Sequence, residues 1–377
     1  MTRPSILHLH SAFDPGGKEV RSVRLINAFG QDAEHAIVSG DLERRGAARL
    51  LDPSVKVRWP KFPALRGKPF PNRLRRLAEA MRGYDLVLTY NWGAMDAVMA
   101  HTLFAQAFHL PPLIHHEDGF NEDEANGLKP TRNLYRRIAL GRTYALVVPS
   151  RTLERIALDV WQQPPGKLRR IANGIRTPDY GGKADPGLLP GLLKHKDEYW
   201  IGTLAGLRKV KNLPALVRAI APLPDEWQLV IAGEGPEREA ILAEARDQGV
   251  EDRVHLPGFV DPARITTLFD LFALSSESEQ FPISVVEAMA AGLTIVAPDV
   301  GDVREMVSDE NRPWIVPAHD EKALADALWR ITGDFASTRR IGAANQARAG
   351  AEYDEATMIE RYRKLYWGAI AKAQASA

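Results

Sequence analysis

The stretch Ser275-Ser-Glu-Ser-Glu-Gln-Phe-Pro-Ile-Ser-Val-Val-Glu-Ala-Met-Ala-Ala-Gly292 joins an acidic loop to a short apolar segment. Phe281-Pro282 marks a helix entry, because proline suits the first turn of a helix and is poor in its interior. Ile283 to Ala291 then reads as an apolar helix, with Gly292 as its C-terminal stop. A helix start presents unpaired backbone N–H groups and a positive dipole end, which suits a phosphate. Glu287 lies about 6 Å along the helix from Ile283 at the usual rise. Glu279 sits on the loop, up to about 13 Å away on the other side. An extended nucleoside diphosphate sugar fits this layout, with hexose at one carboxylate, ribose at the other and diphosphate over the amides between. Carboxylates repel phosphate and accept hydrogen bonds well from hydroxyls. The plainer alternative is a buried helix behind an acidic loop. It leaves Glu287 costly, since an unpaired buried carboxylate costs several kcal/mol.

A chain of 377 residues with 45% hydrophobic content is long enough for two cores and long for one domain. A net charge of +1 selects no partner. The absence of cysteine excludes disulfides, thiolate catalysis and Cys-ligated zinc, and suits a reducing compartment. Met1 to Pro4 runs directly into a short apolar strand without a signal-peptide layout. No apolar run approaches the roughly 20 residues that span a bilayer. A soluble cytoplasmic protein is the expectation. Charge is nonetheless uneven. Between Arg58 and Arg82 eight cations face the single acid Glu79, interleaved with Phe62, Leu65, Phe70, Leu74 and Leu77. Lys129, Arg132, Arg136, Arg137 and Arg142 follow the acidic loop Glu122-Asp123-Glu124. Such runs are usually solvated faces; here the interleaving also suits peripheral contact with anionic lipid. No nucleic-acid motif accompanies the charge.

Short β-rich apolar runs alternate with helical patterns, as in parallel sheets built from βαβ units. Strands are expected at Ser5–His10, His35–Ser39, Asp85–Thr89, Leu113–His116 and Ala145–Pro149. Helices are expected at Lys18–Phe29, Asn72–Met81, Arg132–Leu140 and Thr152–Val160. Arg176 to Glu198 gains Pro, Gly and Lys and loses its periodicity, as a linker does. Trp200–Leu204 restarts the alternation, which continues at Leu229–Ala232, Val254–Leu256, Leu271–Leu274, Thr294–Ala297 and Trp314–Val316. The expected α/β architecture is two doubly wound domains facing across a cleft, since ligands bind beyond the C-terminal strand ends of such sheets.

Other candidate positions fall at those strand ends. Asp14-Pro15-Gly16-Gly17-Lys18 is a glycine turn before a helix, allowing close ligand approach and favouring an anion, or else simply a tight turn. Arg208-Lys209-Val210-Lys211 could neutralise a diphosphate leaving group, with Lys211 the firmer candidate. In Leu113-Ile-His-His-Glu-Asp-Gly119, alternation predicts that only one of His115 and His116 faces the ligand. His8 and His10 share one strand face, equally suited to structure or function. Gly233-Glu234-Gly235-Pro236 fits a loop where a nucleotide base could stack. No Asp-x-Asp pair, P-loop or G-x-S-x-G occurs, and no metal site is expected.

On these residues the chain resembles family four of the retaining glycosyltransferases, which have the GT-B fold. Its anchors are Gly16-Gly17, Val148-Pro149-Ser150, Ile171-Ala172-Asn173-Gly174, Lys211-Asn212, Gly233-Glu234-Gly235-Pro236 and Glu279 to Gly292. The resemblance implies two Rossmann-like domains, residues 1–176 and 199–353, joined by a linker over 177–198. Residues 354–377 would cross back onto the first domain on Tyr362, Leu365, Tyr366 and Trp367. It implies metal-independent, retaining transfer from a nucleotide-sugar donor such as a UDP- or GDP-sugar, with no cofactor. The acceptor would be a saccharide or lipid-linked hydroxyl, in cell-surface polysaccharide or glycolipid synthesis at the cytoplasmic face of the inner membrane. Glu279 would contact the transferred sugar and Glu287 the ribose. The segment Phe281, Pro282, Ile283 and Ser284 would lie near sugar and phosphate, and Lys211 would bind the diphosphate with Gly17 approaching it. Three positions depart from the family. Gly206 stands where an arginine is common, with Arg208 as substitute. Arg176 replaces an acid after Asn173-Gly174. The first-domain active-site histidine falls on either His116 or Asp118. Rival readings are a GT-B epimerase or phosphorylase, and a non-catalytic nucleotide-sugar-binding protein.

Overall fold

The computed structural model describes residues 3–120, 124, 127–183, 185–189 and 191–375. Glu122 and Asp123 of the acidic loop lie outside the described residues. The chain divides into two units: residues 1–172 with 358–377, and residues 173–357.

The first unit begins with β1 (Ser5–His10), α1 (Gly17–Phe29), β2 (Glu34–Ser39), β3 (Val57–Arg58) and α2 (Pro71–Ala80). It continues through β4 (Leu86–Tyr90), α3 (Met95–Phe108), β5 (Leu113–His116), α4 (Pro130–Ala139), β6 (Ala145–Val148), α5 (Arg151–Asp159) and β7 (Leu168–Arg170). Its seven strands run parallel in the order β3-β2-β1-β4-β5-β6-β7. Strands such as Leu86-Val-Leu-Thr-Tyr90 are buried along their whole length, as helices on both faces of a parallel sheet require. On one face α2, α3 and α4 cover Leu7, Val87 and Leu146. The alternation does not announce α3, an almost wholly apolar helix whose first turns are buried.

The second unit holds β8 (Tyr199–Leu204), α6 (Leu213–Ile220), β9 (Trp227–Ala232), α7 (Arg238–Asp247), β10 (Val254–Gly258) and α8 (Pro262–Ile265). Then follow β11 (Leu271–Ala273), α9 (Ile283–Ala290), β12 (Ile295–Pro298), α10 (Val303–Met306), β13 (Ile315–Val316), α11 (Glu321–Thr332) and α12 (Phe335–Glu352). Its parallel sheet has the order β10-β9-β8-β11-β12-β13. Helix α13 (Glu355–Gln374) places Met358, Tyr362, Leu365, Tyr366, Ala369 and Ile370 in the core of the first unit, against Ile6, Leu25, Phe29 and Ile114. The segment expected as a linker belongs to the second unit. It opens with a tight helical turn, Thr177–Tyr180, that buries Tyr180. Its residues 184 and 190 are outside the described set.

Candidate active site

In the second unit the polar candidates gather at the C-terminal ends of β8, β9 and β11. After β8 the chain turns through Ala205–Leu207, and Leu207 N–H donates to the Glu234 carbonyl at 2.9 Å. Glu237 N–H in turn donates to the Leu207 carbonyl at 3.0 Å. The two loops approach so closely that Gly233 (φ +148°) has no room for a Cβ, which would lie 1.9 Å from the Ala205 carbonyl oxygen. Gly233 and Gly235 are thus fixed by packing between loops, while the Glu234 side chain stands exposed in solvent.

Lys211 ends the β8 loop in a short turn, and its Nζ pairs with Glu279 Oε1 of the loop after β11. Both side chains are mostly shielded, at 14% and 12% exposure. Ser276 Oγ donates to the same carboxylate oxygen at 2.7 Å. Ser275 Oγ donates to the Lys211 carbonyl at 2.8 Å, and Glu277 N–H to the Val210 carbonyl at 2.9 Å. From the other side Gly301 (φ +58°) packs on the Glu279 backbone, where a Cβ would sit 2.6 Å from the carbonyl oxygen. Glu279 is therefore held by two loops at once. Sequence reasoning missed Ser275, Ser276 and Gly301, because their significance lies in contacts between segments far apart in the chain.

Helix α9 starts at Ile283 with Pro282 as its extended N-cap. Among the described residues no acceptor lies within hydrogen-bond reach of the Ile283 and Ser284 N–H groups. Phe281 packs edge-on against Tyr353, with centroids 5.7 Å apart. Glu287 follows one turn into α9, half-buried, and accepts a hydrogen bond from Tyr180 Oη at 3.0 Å. It has a partner, so the cost of an isolated buried carboxylate does not arise. Tyr180 was invisible in the sequence because it lies within the stretch that reads as a linker. Arg208 is exposed, and its Nε lies 3.8 Å from where a Cβ on Gly206 would stand.

The first-unit candidates are arranged differently. Gly16 caps α1 in extended conformation, and a Cβ there would meet Glu19 Oε2 at 2.8 Å. The helix start that follows Gly16 and Gly17 thus carries its own buried carboxylate, paired with Lys18. An anion at this turn would lie beside that negative group, which corrects the simple expectation of an anion pocket.

His115 and His116 are both buried, which corrects the expectation that one of them faces a ligand. His116 Nε2 meets Tyr366 Oη of α13 at 2.9 Å, and its Nδ1 meets the Thr89 carbonyl at 3.2 Å. Burial, and then the Arg21 cation, push its pKa well below the usual histidine value. His116 is a core residue, and both ring nitrogens are engaged. Asp118 is the member of the pair that reaches the surface, at 13% side-chain exposure. It forms a two-point ion pair with buried Arg21. Burial opposes the Arg21 charge, and Asp118 more than offsets it, so this cation holds its proton more firmly than usual. His8 and His10 are structural. His8 Nε2 meets His35 Nδ1 at 3.0 Å, and His10 stacks on Tyr90 with centroids 4.0 Å apart. Among the described residues no three acidic or histidine side chains converge as metal ligands would.

Two family models match the chain. The one described as Glycosyltransferase Family 4 covers residues 15–178, and the one described as Glycosyl transferases group 1 covers residues 198–334. The N-acetyl-alpha-D-glucosaminyl L-malate synthase of Bacillus anthracis is 26% identical over 170 residues, which are 44% of this chain and 45% of that protein. A D-inositol 3-phosphate glycosyltransferase of Xylanimonas cellulosilytica is 32% identical over 163 residues, 41% of this chain and 39% of the relative. The chain spans about half the length, or less, of these curated relatives. The structure of Anabaena HepE in complex with UDP superposes with a TM-score of 0.76 at 20% identity, covering 97% of this chain and 100% of that one. That likeness shows the fold, two parallel-sheet α/β units of GT-B type.

Proposed function

We propose that this chain, which belongs to family four of the glycosyl transferases group 1, moves a hexose-type sugar from a nucleoside diphosphate sugar to an acceptor hydroxyl. The observation that carries this is the Lys211–Glu279 pair, set in the second unit together with the α9 start that leads to Glu287. A cation for diphosphate, a carboxylate for sugar hydroxyls, two open N–H groups and a second carboxylate for ribose are the parts an extended donor requires. In the unliganded protein Lys211 and Glu279 satisfy one another. A bound donor would divide them, with the diphosphate taking Lys211 and the hexose hydroxyls donating to Glu279.

Transfer then proceeds with retention by front-face substitution. The anomeric C–O bond to the diphosphate breaks while the acceptor oxygen bonds the same face, and its proton passes to the departing phosphate oxygen. Lys211, Arg208 and the Ile283 and Ser284 N–H groups stabilise the charge that collects on that phosphate. Arg208 stands over the space at Gly206, which favours catalysis over a merely binding protein. In the first unit the same proposal assigns Asp118 rather than His116, together with the Gly16–Gly17 turn. No metal is required.

The acceptor is a saccharide or lipid-linked hydroxyl used in cell-surface polysaccharide or glycolipid synthesis. No helix among the described residues is long and apolar enough to cross a membrane. Leu103, Leu134 and Ile138 are exposed on α3 and α4 near Arg137 and Arg142, which supports peripheral contact at a cytoplasmic membrane face. A thermal-shift screen of UDP-, GDP- and ADP-sugars tests the donor class, since a ligand at 100 times its Kd adds about 2.7 kcal/mol to stability. Stabilisation by none of them defeats the proposal.

A further inference from the structure

The first unit contains a cavity of about 510 Å³ where β1 and β4 end, lined by Ser11 and Trp92 on the strand side and by Arg66, Asp96, Arg132 and Tyr135 opposite. Its inner wall is tightly built, since a Cβ on Gly93 would fall 2.2 Å from the Ser11 Cβ. A second hollow of about 680 Å³ adjoins it along the chain, formed by Phe70–Arg73 and Arg76. Arg73 links the two. It lines the second hollow, while its guanidinium donates to Asp96 at 2.7 Å and to the Leu65 carbonyl at 2.6 Å, both in the wall of the first. Gly67 (φ +149°) lets that wall lie against Arg73, since a Cβ there would come 3.0 Å from Nε.

The charge on this rim is unbalanced. Asp96 is saturated by Arg73 and by the Tyr135 hydroxyl at 2.7 Å. Arg66, Lys68 and Arg76 are exposed and form no ion pair among the described residues. Guanidinium pairs of this kind suit phosphate, which they bind bidentately. Phe70 sits beside them at 63% exposure, an apolar group that nothing in the unit covers. A polar cavity, a cationic rim and an exposed aromatic ring follow one another over a single surface.

From this order we infer that the first unit takes an acceptor whose saccharide is joined through a diphosphate to a prenyl-type chain. The sugar enters the Trp92–Tyr135 cavity, the diphosphate crosses Arg66 and Arg76, and the chain leaves over Phe70. This deepens the transferase proposal above and rests on it.

Titration calorimetry on the full chain tests it with farnesyl diphosphate, inorganic pyrophosphate and anionic phosphatidylglycerol vesicles, each with and without a saturating nucleotide that stabilises the protein. Farnesyl diphosphate should bind at least tenfold more tightly than pyrophosphate and persist against the nucleotide. The Arg66→Ala/Arg76→Ala double variant should weaken it tenfold or more. Phe70→Ala should reduce it to the pyrophosphate level while leaving pyrophosphate unchanged. All three side chains are exposed, and unchanged melting curves confirm intact folding. Equal binding of pyrophosphate and farnesyl diphosphate would mark a free-anion site and overturn the inference. So would affinity indifferent to the double variant, displacement by the nucleotide, or binding to vesicles alone. Failure of every nucleotide sugar to stabilise wild type and variants alike defeats the transferase proposal instead, a separate readout.

Discussion

Lys211 and Glu279, 68 positions apart, form a shielded ion pair that clamps the loop after β8 to the loop after β11. The pair keeps the second unit's densest charges compensated while no donor is bound. Removing one partner of such a pair leaves the other stranded, whereas removing both does not. The same two groups are those a nucleotide sugar would need most, so stability and activity should respond differently to single and double substitution.

Lys211→Ala and Glu279→Ala should each lower kcat/KM by about 10²-fold or more, the usual loss for a group that stabilises transition-state charge. The double variant should melt no lower than the less stable single variant, since it leaves no lone charge. Steady-state kinetics and melting curves on the three proteins decide it. Turnover within twofold of wild type in either single variant removes the assignment.

Glu287 and Tyr180 predict a binding effect instead. Tyr180 Oη orients the carboxylate at 3.0 Å, away from the bond that breaks. If Glu287 accepts from ribose hydroxyls, Glu287→Gln loses a hydrogen bond to a charged group, about 1.5–3 kcal/mol, or roughly ten- to a hundredfold in donor KM. Because the contact is the same in ground and transition state, kcat should hold. Tyr180→Phe should raise KM by only a few fold. A fall in kcat with KM unchanged would place Glu287 at the chemistry rather than the ribose.

The buried histidines predict acid sensitivity. Burial lowers the pKa of His8, His10 and His116 well below the usual value, and lowers His35 to about 4. Between the unfolded value near 6.5 and these folded values the unfolded chain binds more protons, so stability is full above about pH 6.5 and falls as pH drops below it. Each histidine contributes at most about 1.4 kcal/mol per pH unit in that window. Melting temperature should fall steadily from pH 7 to pH 5, and less steeply in His35→Asn. A flat profile would mean these rings are protonated in the folded state.

Much of the fold was legible because parallel strands buried on both faces are short apolar runs, and those runs alternate with helical periods. Leu113–His116 coincides with its expected span, and Trp200–Leu204 extends back only to Tyr199. Helix α3 escaped notice because a helix apolar on nearly all sides shows no amphipathic period. Tyr180 escaped because a Pro- and Gly-rich composition hides a packed turn. The positions of Glu279, Lys211 and Glu287 along the chain were legible, and the Lys211–Glu279 contact was not, since pairing between loops 68 residues apart leaves no local pattern. His116 misled for a related reason. A histidine at a strand end reads as accessible until α13, from the far end of the chain, brings Tyr366 over it.

Gly206 and Arg208 supply the sharpest test of chemistry against mere binding. The structure leaves room at Gly206, where a Cβ would meet nothing nearer than 3.8 Å, and one of the atoms at that distance is Arg208 Nε. An arginine grown from position 206 would therefore enter the space that Arg208 overlooks. If Arg208 supplies the positive charge usually placed one turn of the loop earlier, Arg208→Ala should cost about 10²-fold in kcat with the donor still stabilising the protein. Gly206→Arg alone should be tolerated, with melting unchanged to within about 0.5 kcal/mol, as for other surface substitutions. In the Arg208→Ala background it should recover at least tenfold of the lost turnover, because the guanidinium returns to the same space from a neighbouring position. Rescue of donor binding without rescue of kcat would mean that a cation at this loop only holds the nucleotide. Full activity in Arg208→Ala would leave Lys211 and the α9 N–H groups to carry the leaving phosphate alone.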